Sequence, residues 1–195
     1  MKPIHAAAVY CASSTLLDTI YVEQAAELGK LMAEHHIRLV YGGGMNGLMG
    51  AVADAVMSHQ GYSIGVIPRF MVENGWLRPG LSQVIEVDTM SERKQVMAQR
   101  SDVAFVLPGS VGTFDEMMDI LSLKKLGLYL NPVIVLNTNG FYNPLKELLR
   151  RSISERFMSD AYADICLFAD TPAQAVRLAL QTPPSDPDIR LKAVI

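Results

Sequence analysis

The chain has 195 residues, half of them hydrophobic and 19% charged, and a net charge of -3, which suits one domain with a buried core and excludes a disordered chain. Its lysines and arginines are scattered and its longest apolar stretches are too short to cross a bilayer, so neither nucleic acid nor membrane is an expected partner. Cys11 and Cys166 are the only thiols and have no metal or redox spacing; with the short, interrupted apolar part of the N-terminus, this points to a cytoplasmic protein without a disulfide framework.

Residues 5–10 read as a first strand, and CASS (11–14) as the loop at its carboxyl end. Helical periodicity over about 18–36 leads to a strand at 39–41, the loop GGGMNGLMG (42–50) and a helix over 47–60. Strands at 63–67 and 84–87 precede a helix over 91–100, with Ser91 as its expected N-cap. A strand at 103–107, the loop PGSVGT (108–113) and a helix from Thr113 to about 126 come next. Two more strands, 132–136 and 165–169, alternate with helices over 143–155 and 171–181. Runs such as VAFVL and VIVL lack polar alternation, so the expected fold is α/β, Rossmann-like and doubly wound, its parallel sheet covered by helices on both faces. One such domain is expected over 1–181, with a proline-bearing tail over 182–195.

Ligands of such sheets sit at the carboxyl ends of the strands. Gly42, Gly44 and Gly47 satisfy G-x-G-x-x-G between a strand and a helix, where backbone N-H groups can hold a phosphate. The next strand ends Val66-Ile67-Pro68-Arg69, without the acidic residue a dinucleotide ribose would need. A second glycine loop, 109–112, suits a mononucleotide lying across both. Neither loop is followed by Gly-Lys-Ser or Gly-Lys-Thr, so nucleoside triphosphate hydrolysis has no support.

Glu116 admits two readings. Thr113-Phe114-Asp115-Glu116 fits a capping box, and a carboxylate on the first turn would also lie beside the anion site, within reach of a nucleotide's sugar. Arg93 shares a helix face with Met90 and Met97, where it is either a structural or snorkelling arginine or a guanidinium facing a ligand. Met45, Met49, Met90, Met97, Met117 and Met118 cluster in sequence near these elements, as adaptable packing or as a soft pocket for a prenyl group. The four histidines form no ligand constellation, His35 and His36 being expected at an exposed helix end.

Four segments resemble the LONELY GUY family of cytokinin riboside 5'-monophosphate phosphoribohydrolases: CASS (11–14), LVYGGGMNGLMGAVADA (39–55), MSERK (90–94) and PGSVGTFDE (108–116). LGLYLNPVIVLNTNGFYNPL (126–145) is similar to the family's pattern as well. The resemblance implies a homodimer that hydrolyses the N-glycosidic bond of an adenosine-type 5'-monophosphate to free base and ribose 5-phosphate, with no metal or cofactor. It further implies Arg93 and Glu116 as the catalytic pair, Lys94 as a substrate contact, and Gly109, Ser110, Val111, Gly112 and Thr113, flanked by Asp115, as the phosphate loop. Ser14, Gly43 and Gly44 would line the same pocket. Two positions depart from the pattern: Ser110 stands where the family has glycine, and Gly75 where it often has a substrate-contacting glutamate, with Glu73 as the alternative supplier. The helix bearing Met117, Met118 and Leu121, with LGLYL, is the expected dimer contact. Rival readings are a non-catalytic nucleotide carrier of the same fold and a hydrolase of AMP or another purine monophosphate; lysine decarboxylation lacks a recognisable pyridoxal phosphate lysine and its supporting acid.

Overall fold

A computed structural model describes residues 3–188. Seven strands form one parallel sheet: β1 (Ala6–Tyr10), β2 (Arg38–Tyr41), β3 (Ser63–Pro68), β4 (Gln83–Val87), β5 (Val103–Val106), β6 (Val133–Leu136) and β7 (Leu167–Ala169). Seven α-helices connect or follow them: α1 (Thr19–Glu34), α2 (Gly47–Ser58), α3 (Arg69–Glu73), α4 (Met90–Gln99), α5 (Val111–Lys125), α6 (Asn143–Ser154) and α7 (Pro172–Gln181). The expected α/β architecture is therefore observed, with strand order β4-β3-β2-β1-β5-β6-β7.

The absence of polar alternation in the strands has a direct cause. In β1, Ala7 and Val9 enter one core cluster while Ala6, Ala8 and Tyr10 enter the other. Val103 and Phe105 of β5 likewise face α1, α2 and α7, and Ala104 and Val106 face α4 and α5. Side chains alternate across a strand, so a strand covered on both faces must be apolar at every position. Each large side chain buried this way contributes about 1.5–3 kcal/mol, and Phe105 is wholly buried.

Two helix starts differ from expectation. The N-cap of α4 is Thr89, whose hydroxyl accepts from the Glu92 N-H at 3.1 Å while the Glu92 carboxylate accepts from the Asp88 N-H at 2.9 Å; Ser91 lies inside the helix. The N-cap of α5 is Ser110, three residues before the expected Thr113, so the capping box does not form. Thr113 and Glu116 instead lie inside the helix and are buried. The helix α3 was not expected; its five residues bury none of their own number, too few for a periodic pattern to show. His35 and His36 are exposed at the end of α1, as expected.

Residues 182–188 of the expected tail include Ser185, whose N-H donates to the Leu130 carbonyl at 2.7 Å and whose hydroxyl accepts from buried Lys124 at 2.7 Å. Burial draws the Lys124 ammonium down to about 8. The remainder of that tail, 189–195, lies outside the described residues.

Candidate active site

The strand order reverses beside β1: its neighbours are β2 on one side and β5 on the other. Loops leaving these strands part toward opposite faces of the sheet and open a crevice at the carboxyl ends. A cavity of about 380 Å³ occupies it. The start of α5 lines it with Ser110, Gly112, Thr113 and Glu116, the ends of β1 and β2 with Cys11 and Gly42, and Met49, Ile67, Met71 and Trp76 supply apolar lining, while Met90 Sδ lies 3.9 Å from Arg93 Nη1.

Arg93 reaches this cavity from α4 and is only 7% exposed. Its Nε donates to the Val66 carbonyl at 3.0 Å and its Nη2 to the Gly42 carbonyl at 3.1 Å, leaving Nη1 3.5 Å from Glu116 Oε1. The guanidinium thus spans the ends of β2 and β3 and turns its remaining edge toward the carboxylate. Gly42 is required by this packing, because a Cβ there would occupy the place of the guanidinium. Gly43 next to it has φ 74°, the left-handed region that favours glycine.

Glu116 sits one turn into α5 and is 9% exposed. Burial raises its carboxyl to about 7; Arg93 pulls in the opposite direction and is outweighed. Close to neutrality such a group can hold or release a proton, the condition for acid-base work. Burial also raises the Cys11 thiol and the Tyr10 phenol, so neither supplies a nucleophile here.

The start of α5 brings a second resource. The N-H groups of Val111, Gly112 and Thr113 have no carbonyl one turn back within the helix, and the helix dipole is positive at this end. Ser110 has φ -111° and ψ -160°, ordinary extended backbone, so serine in place of glycine strains nothing.

The residues singled out in the sequence fall into two groups. Gly44, Arg93, Ser110, Gly112, Thr113 and Glu116 line the cavity. Gly43 lies behind it against Ile67, Gly109 packs on the Thr113 side chain, and Val111 points outward at 79% exposure. Ser14 is exposed, its hydroxyl accepting from the Leu16 N-H at 3.2 Å, while Ser13 takes the position on the rim. Lys94 and Asp115 pair with each other at 3.1 Å, with Asp119 3.5 Å from the same ammonium. Partial burial draws Lys94 down, yet its bond to Asp115 and the nearby Asp119 leave it above the usual lysine value. Among the methionines, Met45, Met49 and Met90 line the cavity, whereas Met97 and Met117 are core and Met118 is exposed.

Sequence reasoning missed Ser13, Asn46, Met71 and Trp76. The last two come from α3 and the loop after it, and the one signal in the sequence was that this chain's single tryptophan stands between a glycine and an apolar residue, ahead of the strand that leads to Arg93. Among the described residues, no three His, Cys, Asp or Glu side chains come together as a metal site would require.

A family model described as possible lysine decarboxylase matches residues 49–179. A probable cytokinin riboside 5'-monophosphate phosphoribohydrolase of Oryza sativa subsp. japonica is 37% identical over 86% of this chain and 69% of its own length. A cytokinin riboside 5'-monophosphate phosphoribohydrolase of Arabidopsis thaliana is 33% identical over 95% of this chain and 87% of its own. In fold the chain is similar to an X-ray structure from a structural genomics consortium, with a TM-score of 0.72 at 22% identity over 91% of this chain and 99% of that one. It is also similar to the molybdenum cofactor carrier protein of Chlamydomonas reinhardtii, with a TM-score of 0.69 at 20% identity over 88% and 93%.

Proposed function

The chain belongs to the LONELY GUY family of cytokinin riboside 5'-monophosphate phosphoribohydrolases, and from that membership and the geometry of the cavity we propose that it is an enzyme of this kind. It hydrolyses the N-glycosidic bond of adenosine-type 5'-monophosphates, those with an N6 substituent included, to free base and ribose 5-phosphate. The observation that carries the reading is the buried Glu116 carboxyl, held 3.5 Å from Arg93 beside the open start of a helix.

The substrate phosphate is held by the N-H groups that open α5, with Ser110 and Thr113 at its flanks. Anchored there, the ribose lies along the first turn with its anomeric carbon toward Glu116. The bond from C1' to the base breaks with its electron pair going to the base, and positive charge grows on the sugar. Ionised Glu116 stabilises that charge and accepts a proton from the water that adds to C1'; the leaving base takes up a proton in turn. Arg93 keeps the carboxylate aimed, and its two carbonyl bonds fix its own position. Lys94, tied to Asp115, contributes by holding α4 to α5 beside this pair.

The enzyme is read as a single domain and as a homodimer. Met117 and Leu121, expected at the dimer contact, are buried in the core; the apolar residues left to meet a partner are Phe114, Met118, Leu126 and Leu128. Its place is the cytoplasm, where two buried free thiols stay reduced; no helix among the described residues is long and apolar enough to cross a membrane.

The test is incubation with AMP and with N6-isopentenyladenosine monophosphate, each beside its nucleoside, and quantification of free base by chromatography. Release from the monophosphates and not from the nucleosides is expected. Binding without release from either would leave the carrier reading in its place.

A further inference from the structure

We infer that Trp76 is the base-binding residue of this site, supplying an aromatic face for the purine; the inference rests on the hydrolase reading and deepens it. Arg93 and Glu116 pair beside the start of α5, whereas α3 and its following loop contribute only the apolar Met71 and Trp76 to the lining. A nucleotide with its phosphate at α5 therefore extends its base toward Met71 and Trp76. Trp76 is 51% exposed while lining the cavity. An indole left open on the wall of a pocket is free to stack on a planar partner.

Its position is fixed rather than loose. Trp76 N-H donates to the Met71 carbonyl at 3.0 Å, Leu77 bridges antiparallel to Gly44, and Arg78 N-H donates to the Gly43 carbonyl at 2.8 Å. The Arg78 guanidinium also pairs with Asp54 of α2. The segment is thus stitched to the glycine loop that lines the cavity, with Trp76 immediately before the stitches.

No carboxylate competes for the place. Gly75 is exposed, with φ 73° and nothing within 4 Å of where a Cβ would stand. Glu73 is exposed at the end of α3 and does not line the cavity. A base read by stacking is recognised by its π face and not by its polar edge. Selection among purines is therefore weak, and an apolar N6 substituent gains from the methionines beside the indole.

Since Trp76 is the only tryptophan of the chain, it reports its own occupancy. AMP titrated into the Glu116→Gln variant, whose turnover is expected to be about a thousandfold slower, quenches the tryptophan emission; ribose 5-phosphate, which lacks the base, leaves it unchanged. In Trp76→Ala the dissociation constants for AMP and N6-isopentenyladenosine monophosphate, measured by calorimetry, rise about five- to a hundredfold, and Trp76→Phe recovers most of the loss. Emission that stays constant while calorimetry shows AMP saturating the protein overturns the inference, as does wild-type affinity in Trp76→Ala. Quenching with no base released by the wild type would remove the hydrolase reading and keep Trp76; base release with wild-type KM in Trp76→Ala would do the reverse. No binding of either nucleotide removes both.

Discussion

The two ends of the sheet both carry a cavity, and the larger is the wrong place to look for chemistry. At the amino ends of β1, β2 and β5, a cavity of about 640 Å³ is lined by His5, Arg38, Arg100 and Asp102 among others. There the Asp102 carboxylate accepts from the backbone N-H groups of His5 and Ala6 at 3.0 and 3.2 Å, which joins strand ends. The carboxyl-end cavity holds about 380 Å³ and contains Arg93 and Glu116, both buried. Volume measures how loosely elements meet. A buried charge pair lining a crevice costs stability that packing alone would not require, which is why the proposed function is placed at this end.

The most direct challenge to this contrast is Glu116→Gln. Hydrolysis should fall about a thousandfold, in the range that acid-base groups supply, with nucleotide binding retained. Near-normal turnover in a base-release assay would remove the carboxyl end from consideration. Next in size is Gly42→Ala, whose methyl displaces the Arg93 guanidinium; turnover should drop about a hundredfold and the melting temperature should fall, since two buried carbonyl bonds are disturbed.

The titration of Glu116 provides an intermediate effect. Only the ionised form serves, so kcat/KM should fall about tenfold for each pH unit below a limb near 7, not near the ordinary carboxylate value of 4.5. The stability effect has the opposite sign. Folding raises this group's pKa and so favours its neutral form; that contribution is whole below about 4.5 and erodes as pH rises to about 7. Glu116→Gln should therefore be more stable than the wild type at pH 8, by up to about 3 kcal/mol, read as a higher midpoint in urea. A lower midpoint would mean that Arg93 more than repays the carboxylate for its burial.

Smaller effects separate the two ends further. Ser110→Gly should change kcat/KM by less than about threefold, because the serine backbone is already unstrained. Arg38→Ala and Arg100→Ala at the amino end should leave it within about twofold, a tenfold loss being the result that would make the second cavity part of the chemistry.

Much of this architecture is legible in the residues themselves. Apolar runs mark the strands because coverage on both faces removes alternation, and the glycine loops and Arg93 stand out because their residue types fit poorly elsewhere. The start of α5 is misplaced by sequence because Thr113 and Glu116 have the spacing of a capping box, which is local, whereas the Glu116 carboxyl is buried against Arg93 of α4, distant in sequence. Ser14 is chosen over Ser13 for want of any signal of direction in a loop. The wall formed by Met71 and Trp76 stays hidden since the loop after α3 is held at Leu77 and Arg78 by backbone bonds to the glycine loop, which leave no pattern in side chains.

The central position of β1 also fixes an order of events as the chain is made. This first strand pairs with β2 on one edge and with β5 on the other. Until Val103 has been made, the half-sheet can have only an open β1 edge, with apolar side chains on both faces and unpaired backbone N-H and C=O groups along it, the kind of edge with which neighbouring chains pair. Arg93 belongs to the half already synthesised and Glu116 to the half still to come. The proposed site therefore draws on both halves of the sheet, and when Glu116 has been made β5 is itself an open edge that still awaits β6.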